Sequence, residues 1–511
     1  MSASLSGEMT GGSDPIPVKL FRGYDTVARG MLSSSAIVGD YEKSDARSTV
    51  RVEVCESLSE LADALEIDAS LSVSYLKAVS VTAKMEFAKK LNVTARSVTI
   101  VVYAIHEIGT WTAKDAKLQD GVSAPTDDDS AADFAQSYGD SFIRSVTLGG
   151  EYFAVYIFNT ETREEQQNLT ASLKAEGIGG GVKAEADVQV KLSNFLKTTK
   201  TSWTLKQEIT GIANPSFPAQ DKLIEFALSF SKQTPDSPAT TNVKVLGHES
   251  VPKFGRKFAK VVRNRRHFLN PEDGLLSSLA QLNAVRNQVA WLKRIYDRYN
   301  YQDDTALLAF ERDLLADIKA INNQVADWEM DAASDFTAPK LPALTQGEPV
   351  LQFDEPQAKA WGGTSAGPWD VMSVGNAIRN RNRIQSIRLA TGQHDGTDLL
   401  GRLELDYASD KRNWSEAHGE SVKVAQPKLN LEEGQFPVRF EIRYGRYVDW
   451  LRIHLSDGRT TEAGGPGGRP DDWTVPAGHF VVGFGGRSGA VIDELQVHYA
   501  RLKPAKMVKT R

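Results

Sequence analysis

Few residues in this chain are spaced for bond-making chemistry. Cys55 is the sole cysteine among 511 residues, so it has no disulfide partner within the chain and no thiolate neighbours to hold zinc. The eight histidines are scattered. No nucleophile elbow, no His-Glu-x-x-His pair and no paired acid/base signature is read in it. The glycine run Gly177-Ile178-Gly179-Gly180-Gly181 lacks the Lys-Ser/Thr that follows a phosphate loop. An enzyme is therefore not expected, and no metal or cofactor is implied. Charge adds little: the net is −6 with 25% charged residues, which gives no electrostatic reason to expect nucleic acid. The one strongly basic stretch, Lys253–Asn270, interleaves Lys253, Arg256, Lys257, Lys260, Arg263, Arg265 and Arg266 with Phe254, Phe258 and Phe268. It reads as a solvated linker face or a contact with anionic lipid headgroups, ahead of a nucleic-acid surface.

The informative residues are instead those that alternate. Before the glycine run, Leu169, Ala171, Leu173 and Ala175 are apolar and their neighbours polar. After it, Val182, Ala184, Ala186, Val188, Val190 and Leu192 alternate with Lys183, Glu185, Asp187, Gln189 and Lys191. A period of two on both sides of an apex at Gly177–Gly181 is the pattern of an amphipathic β-hairpin. The composition, rich in Ala, Lys, Glu, Gln and Leu, favours helix. Pattern and propensity conflict, which is local frustration.

A second segment, Ile67–Phe87, alternates in the same way. With a turn at Leu76-Lys77-Ala78, Tyr75 faces Val79, Val73 faces Val81, Leu71 faces Ala83, Ala69 faces Met85 and Ile67 faces Phe87. All of these apolar side chains then share one face. Each arm has nine residues, within the roughly 9–11 of a tilted transmembrane strand. A half-buried soluble sheet with one wet face fits the same alternation.

Around these segments, Ser48–Val54, Ser97–His106, Phe153–Phe158, Trp203–Ile212 and Asn242–Val251 read as strands, and Ser57–Leu65 as a helix. Asp133–Tyr138 reads as the end of a short helix. Residues 274–332 read as a helical hairpin with stripes Leu275, Leu279, Leu282, Val285, Val289, Leu292, Tyr296 and Leu307, Leu314, Ile318, Ile321, Val325, Trp328, turning at Tyr299–Asp304. A core-forming pair and a self-association element both fit these stripes. Thr337–Pro356, punctuated by prolines, reads as a linker.

Tyr138-Gly139-Asp140-Ser141-Phe142-Ile143, followed by Gly149-Gly150 and a strand, resembles the signature of the MACPF (membrane attack complex/perforin) superfamily. Asp140 and Ser141 depart from that signature, where Thr or Ser and then His are usual. The order of strand, alternating segment, strand, signature, Gly-Gly strand, alternating segment and strand is also that family's. The resemblance covers about 18–252. It implies a bent central antiparallel sheet flanked by helical clusters, with Tyr138, Gly139, Phe142, Gly149 and Gly150 at a bend and hinge. It further implies that both alternating segments are helical in the soluble monomer and unfurl into hairpins of a membrane barrel. The inserting faces would be Ile67, Leu71, Val73, Tyr75, Val79, Val81, Met85 and Phe87, with Lys77 at the turn, and Leu169, Leu173, Val182, Val188, Val190 and Leu192, with Gly177 and Gly181 at the apex.

From Lys359 the chain changes to short strands, Gly and Trp. Its opening, Trp361-Gly362-Gly363 to Trp369-Asp370, and its closing phrase Gly483-Phe484-Gly485-Gly486-Arg487-Ser488-Gly489-Ala490-Val491-Ile492-Asp493 resemble those of the jacalin-related lectins. Tyr447–Ile453 fits an inner phrase of that family. This resemblance covers about 350–503 and implies a β-prism that binds sugar on Gly489, Ala490, Val491, Ile492 and Asp493, helped by Gly362 and Gly363. Backbone N–H groups would donate to sugar hydroxyls, and the carboxylate would accept from two of them. The loop supplies no aromatic residue, and a purely structural turn is the alternative.

The expected fold class is thus α+β multidomain: an N-terminal arm (1–17), a MACPF-like domain (18–252), a basic linker and helical hairpin (253–345), an all-β prism (350–503) and a basic tail (504–511). The expected function is pore formation. A soluble monomer would bind target-cell membrane lipid and a surface glycan or glycoprotein receptor, assemble into a homo-oligomeric ring, and insert. No Sec-type signal is read, so the protein is expected to be made soluble and released, and the MACPF resemblance alone implies an insecticidal bacterial toxin. A non-lytic adhesin or agglutinin is the alternative, and a glycan-active enzyme with a lectin module a distant third.

Overall fold

The computed structural model describes residues 17, 19–28, 30–66, 87–88, 90–91, 93, 97–160, 163–178, 182–183, 186–199, 201, 203–270, 272–302, 304–354, 357–369, 374–379, 381–409 and 413–509. The Ile67–Met85 positions named above, and Gly181, lie outside this set. The chain divides into two compact units, one of residues 1–287 and 310–347, the other of 288–309 and 348–511.

The first unit is built on two long strands, Ser97–Leu118 and Ser141–Asn159, paired antiparallel from Ser97↔Asn159 to Thr112↔Ser145. Both are rich in Val, Ile, Phe and Tyr, which pack well on a pleated surface. Each changes its outer neighbour half-way along. Ser97–Leu118 pairs with Arg47–Cys55 at one end and with Ile37–Ser44 at the other. Ser141–Asn159 pairs with Trp203–Thr210 and then with Ala239–Gly247. The changeover falls at Gly149-Gly150, opposite a bulge between Glu107 and Gly109.

Alternate residues of the long strands feed two cores. Tyr103, Ile105, Phe153, Val155 and Ile157 pack with Leu61, Leu65, Phe87 and Leu91 on one face. Ile100, Val102, Tyr152, Ala154, Tyr156 and Phe158 pack on the other with Leu169, Leu173, Val188, Leu192, Leu223 and Phe230. The helix Leu58–Ala64, N-capped by Ser57, serves the first face. The helices Arg163–Ala175, Ala186–Thr198 and Leu223–Phe230 serve the second. Within Leu169–Leu192 the described residues up to Ala175 and from Ala186 are therefore helical here, not arms of a hairpin, and Val182–Lys183 pairs with Val52 and Arg51.

Three sequence expectations are corrected. Lys253–Asn270 is not a linker: it holds the helix Ala259–Leu269, and Phe254, Phe258 and Phe268 are buried, so these rings are core rather than surface. Thr337–Pro356 contains a helix, Pro342–Gln346, and a strand, Glu348–Phe353. The tail from 504 lies largely in the strand Leu502–Val508, paired with Glu348–Phe353.

The helical hairpin consists of Leu275–Arg298 and Thr305–Met330, and all thirteen stripe residues are buried. Its tip belongs to the second unit. There Asp304 accepts from the Leu307 N–H through Oδ1, and from the Ala505 N–H and the Tyr296 hydroxyl through Oδ2.

The rest of the second unit has three sheets around one core. They are ordered Gln357–Gly362, Ile492–Ala500, Phe480–Ser488, Gly367–Trp369; then Asn413–His418, Thr397–Ala408, Arg383–His394 with two short edge strands; then Thr460–Gly464, Val448–Leu455, Pro437–Tyr444, Arg469–Thr474. Trp361, Leu389, Leu403, Phe440, Leu451, Phe484 and Leu495 meet inside. This is a β-prism, as the sequence led one to expect.

Candidate functional site

The predicted glycines and aspartate of the second unit do come together. Gly362 ends the first prism strand with φ +112°, and a Cβ there would lie 2.0 Å from the Asp493 carbonyl oxygen. Only glycine lets the two loops cross this closely. The next residue, Gly363, donates its N–H to the same carbonyl at 2.9 Å. Gly489 N–H donates to Val491 O, closing the turn. Ala490 O accepts from Glu420 and Ser421 N–H at 3.0 and 2.7 Å. Burial raises the Asp493 carboxyl above its ordinary range, opposed by the Gly489 N–H and by nearby Arg446 and His394.

Two of the predicted contact residues play a different part. Val491 and Ile492 turn their side chains into the core, 2% and 0% exposed, so only their backbone can meet a ligand. Gly489 and Ala490 are exposed. The sequence reading missed what flanks them. Arg446 presents its carbonyl to Gly363, where a Cβ would lie 2.5 Å away. Tyr447 stands edge-on to His394 with ring centroids 5.3 Å apart. An aromatic side chain is thus present at this corner, supplied by a neighbouring turn rather than by the Gly489–Asp493 loop. The sequence reading also overlooked a Gly-x-Ser-x-Gly spacing at Gly363-Thr364-Ser365-Ala366-Gly367. It joins two strands, not a strand to a helix, and so is not a nucleophile elbow.

Residues 358–498 match the family model of the jacalin-like lectin domain. That accounts for the prism and its Gly-Gly and Gly-x-x-x-Asp loops, and a lectin domain of this kind is a carbohydrate-binding module. Among solved structures, a Malaysian banana lectin is 20% identical, covering 29% of this chain and 99% of its own at a TM-score of 0.24. A mannose-binding jacalin-related lectin from Ananas comosus is 19% identical over 30% of this chain and 99% of its own, at a TM-score of 0.24. Artocarpin, described as a lectin with mannose specificity, is 20% identical over 29% and 98%, again at 0.24. No curated protein matches the chain.

In the first unit, the predicted signature residues form a backbone crossing. Gly139 has φ +80°, and a Cβ there would lie 2.3 Å from Tyr24 O; one on Gly23 would lie 2.1 Å from Tyr138 O. Beside it, the Asp140 carboxylate accepts from the Thr26 N–H at 3.2 Å and its hydroxyl at 2.6 Å. Burial pushes the Asp140 carboxyl up to about 6, against the pull of Arg265. His248, fully buried among Phe134, Phe142 and Phe254, is pushed down to about 4 by the same cause. Phe142 is buried, and Tyr138 packs on Phe134. Gly149 lies at the changeover of the sheet, where a Cβ would come within 2.3 Å of His106 O. Among the described residues no group of acidic, His and Cys side chains is placed to hold a metal, and no helix is long and apolar enough to cross a membrane.

The predicted inserting face of the second segment is divided. Leu169, Leu173, Val188 and Leu192 are buried, while Ala171, Ala175 and Val190 are exposed, Val190 to 60%. A helix brings i and i+4 to one side and sends i+2 away. It therefore buries only every second member of a period-two series. Gly177 follows the first helix with φ +74°. Of the first segment, Phe87 is buried and stacks on Phe153 at 5.9 Å.

Proposed function

We propose that this chain is a glycan-directed pore-forming protein of the MACPF type. The lectin domain binds surface glycan on a target cell, soluble monomers assemble into a ring, and segments 57–93 and 161–201 refold into amphipathic β-hairpins that close a membrane barrel. Ring closure comes before insertion because only a barrel without edges satisfies every backbone group in lipid. The observation that carries this reading is the divided face of the second segment. As a helix it leaves Ala171, Ala175 and Val190 in water; as a strand, all members of the series share one side. The resemblance of Tyr138–Gly150 to the MACPF signature, and the changeover at Gly149-Gly150, support it further.

The test uses a cross-strand lock. Arg51 and Lys183 are paired neighbours in adjacent antiparallel strands, so Arg51→Cys with Lys183→Cys ties the second segment to the sheet. Cys55 does not compete, because its thiol is buried and pushed up to about 12. Dye release from target-membrane vesicles should fail in the oxidised double variant and return with reductant. Release that ignores the lock would sink the refolding model. A non-lytic adhesin or agglutinin is the second reading, favoured by the lectin-domain match alone. It predicts agglutination without release by the unlocked protein.

A further inference from the structure

One transverse row of the first unit's sheet meets both alternating segments. Its members are Lys183, Arg51, Tyr103, Phe153 and Glu208, each directly opposite the next on five successive antiparallel strands. Residues opposite one another in such strands share a face and pack side by side. The Arg51 guanidinium accordingly lies over the Tyr103 ring, 5.2 Å from its centroid, and the Tyr103 and Phe153 rings stack at 4.8 Å.

The first segment is held to this row at both ends. Glu66 stands immediately before it, with φ +52°, a backbone that a residue with a side chain keeps only when its surroundings hold it there. Its carboxylate accepts from the Arg51 guanidinium, lies 3.5 Å from Arg47, and has Oε2 3.4 Å from the Tyr103 hydroxyl. Phe87 closes the segment and stacks on Phe153 at 5.9 Å. Just beyond, at the far end of the row, burial raises the Glu208 carboxyl and the Lys90 charge opposes it. The second segment reaches the row from the side. Val182–Lys183 is a two-residue strand on the edge of Arg47–Cys55, with Lys183 opposite Arg51 and Val182 opposite Val52. So short a ladder contributes few bonds, and its hold depends on how firmly Arg51 and Val52 are fixed. Arg51 therefore meets both segments, Glu66 through its side chain and Lys183 along its backbone. Arg47 is a poorer anchor for Glu66, because its side chain is 55% exposed and also serves Glu107 at 3.4 Å.

We propose that Arg51 is a shared latch, the positioning residue through which the two segments hold each other to the sheet, so that loss of either contact loosens the other segment. As a device for insertion it rests on the refolding reading. A guanidinium suits the place because its planar fork bonds a carboxylate while its face covers an aromatic ring. Without the Glu66 charge, the Arg51 side chain is free to leave Tyr103 for water, and the edge that carries Val182–Lys183 loses the group that fixes it. Without Val182–Lys183, that edge is open to solvent, which screens the Arg51–Glu66 pair. The two segments then leave together rather than one by one. That order suits a barrel in which an unpaired edge cannot be tolerated in lipid.

Hydrogen exchange of the full soluble chain, resolved by peptide, tests the coupling. Glu66 lies on the face of the sheet that carries Tyr103 and Phe153, whereas the helix Ala186–Thr198 packs on the other face. A role confined to the surroundings of Glu66 would not reach that helix. Glu66→Gln and Arg51→Met should each speed exchange in Ala186–Thr198 by about tenfold, the scale of one lost charge-assisted hydrogen bond, and leave Thr305–Met330 unchanged. The double variant should exchange no faster than Arg51→Met alone, because both changes break the same contact. Glu66→Gln keeps the shape of a partly exposed side chain and carries the test if Arg51→Met fails to fold. A folded Glu66→Gln variant that leaves Ala186–Thr198 at the native rate overturns the coupling, and so does a rise spread equally over Thr305–Met330. Dye release from target-membrane vesicles separates this result from the refolding reading. Faster release by Glu66→Gln supports the latch as a device for insertion. Exchange that responds as expected, with no release by the native chain or by Glu66→Gln, supports the coupling and overturns pore formation.

Discussion

The strands of the prism and the second segment of the first unit share one sequence pattern and end in different structures. Val448–Leu455 alternates, and the strand buries Val448, Leu451, Ile453 and Leu455. Leu169–Leu192 also alternates, yet forms two helices that bury only Leu169, Leu173, Val188 and Leu192 of the described series. Composition and partners separate them. The prism strand carries the strand formers Val448, Trp450 and Ile453 and has strands on both sides. The helical segment is rich in Ala, Lys, Glu and Gln, and the face it covers already has its strands paired. In the prism, Asp406 is held at about 2 by Lys428, Ser386 and Ser415 at the surface. In the first unit, Asp140 and His248 are buried where their charged forms are disfavoured. The prism strand buries one side of its alternation, whereas the helical segment leaves Ala171, Ala175 and Val190 of its own in water.

The contrast can be broken most forcefully in the cores. Leu173→Asp should destabilise the first unit by about 3–5 kcal/mol and Ile453→Asp the prism by a similar amount, both read from denaturant melts. Equal losses would show that the helical reading of the alternation is as deeply buried as the strand reading.

A subtler break uses proton linkage. Asp140 has a folded pKa of about 6, above the ordinary carboxylate value, so its contribution favours the fold at low pH and is lost as pH rises towards 6. His248 has a folded pKa of about 4, below the ordinary imidazole value, so it weakens the fold as pH falls from about 6.5 towards 4. The two oppose each other across the same window. Stability from these groups should therefore be nearly flat there in the native protein. Asp140→Asn should expose an acid-labile slope and His248→Phe an alkali-labile one, each on the order of 3 kcal/mol across the window. Parallel slopes in both variants would refute the compensation.

Val190→Asp sharpens the contrast at the surface. In the helix the change should cost under about 0.5 kcal/mol, because the position faces water. In the proposed barrel it puts a charge on the lipid face and should abolish dye release. Asp406→Asn should leave dye release unchanged and cost under about 1 kcal/mol for an ion pair at the surface, a loss present only where the native carboxylate is ionised.

Much of the architecture was legible from spacing. The stripes Leu275–Tyr296 and Leu307–Trp328 are buried as read, and their turn lies between Arg298 and Thr305. Gly362, Gly363 and Asp493 could be named because they lie in phrases that resemble those of the jacalin-related lectins. What misled was charge and position along the chain. Lys253–Asn270 looked like a wet linker because its cations outnumber its rings, yet a helix turns Phe258 and Phe268 inward while Arg266 stays in water. Residues 504–511 were read as tail because the strand Leu502–Val508 buries only Leu502 and Ala505 and turns its lysines to water, as an edge strand tolerates. Tyr447 was missed as a site residue because proximity between turns of different sheets leaves no local mark.

The pairing of Glu348–Phe353 with Leu502–Val508 has a mechanical consequence. The chain enters the prism at Glu348 and leaves it at Val508, and these two residues are partners at the same end of the ladder. A load applied across the domain through its flanking chain would therefore open this pair like a zip, one bond at a time, rather than shear all its bonds together. The prism should shed its clasp at low force and keep its three sheets intact.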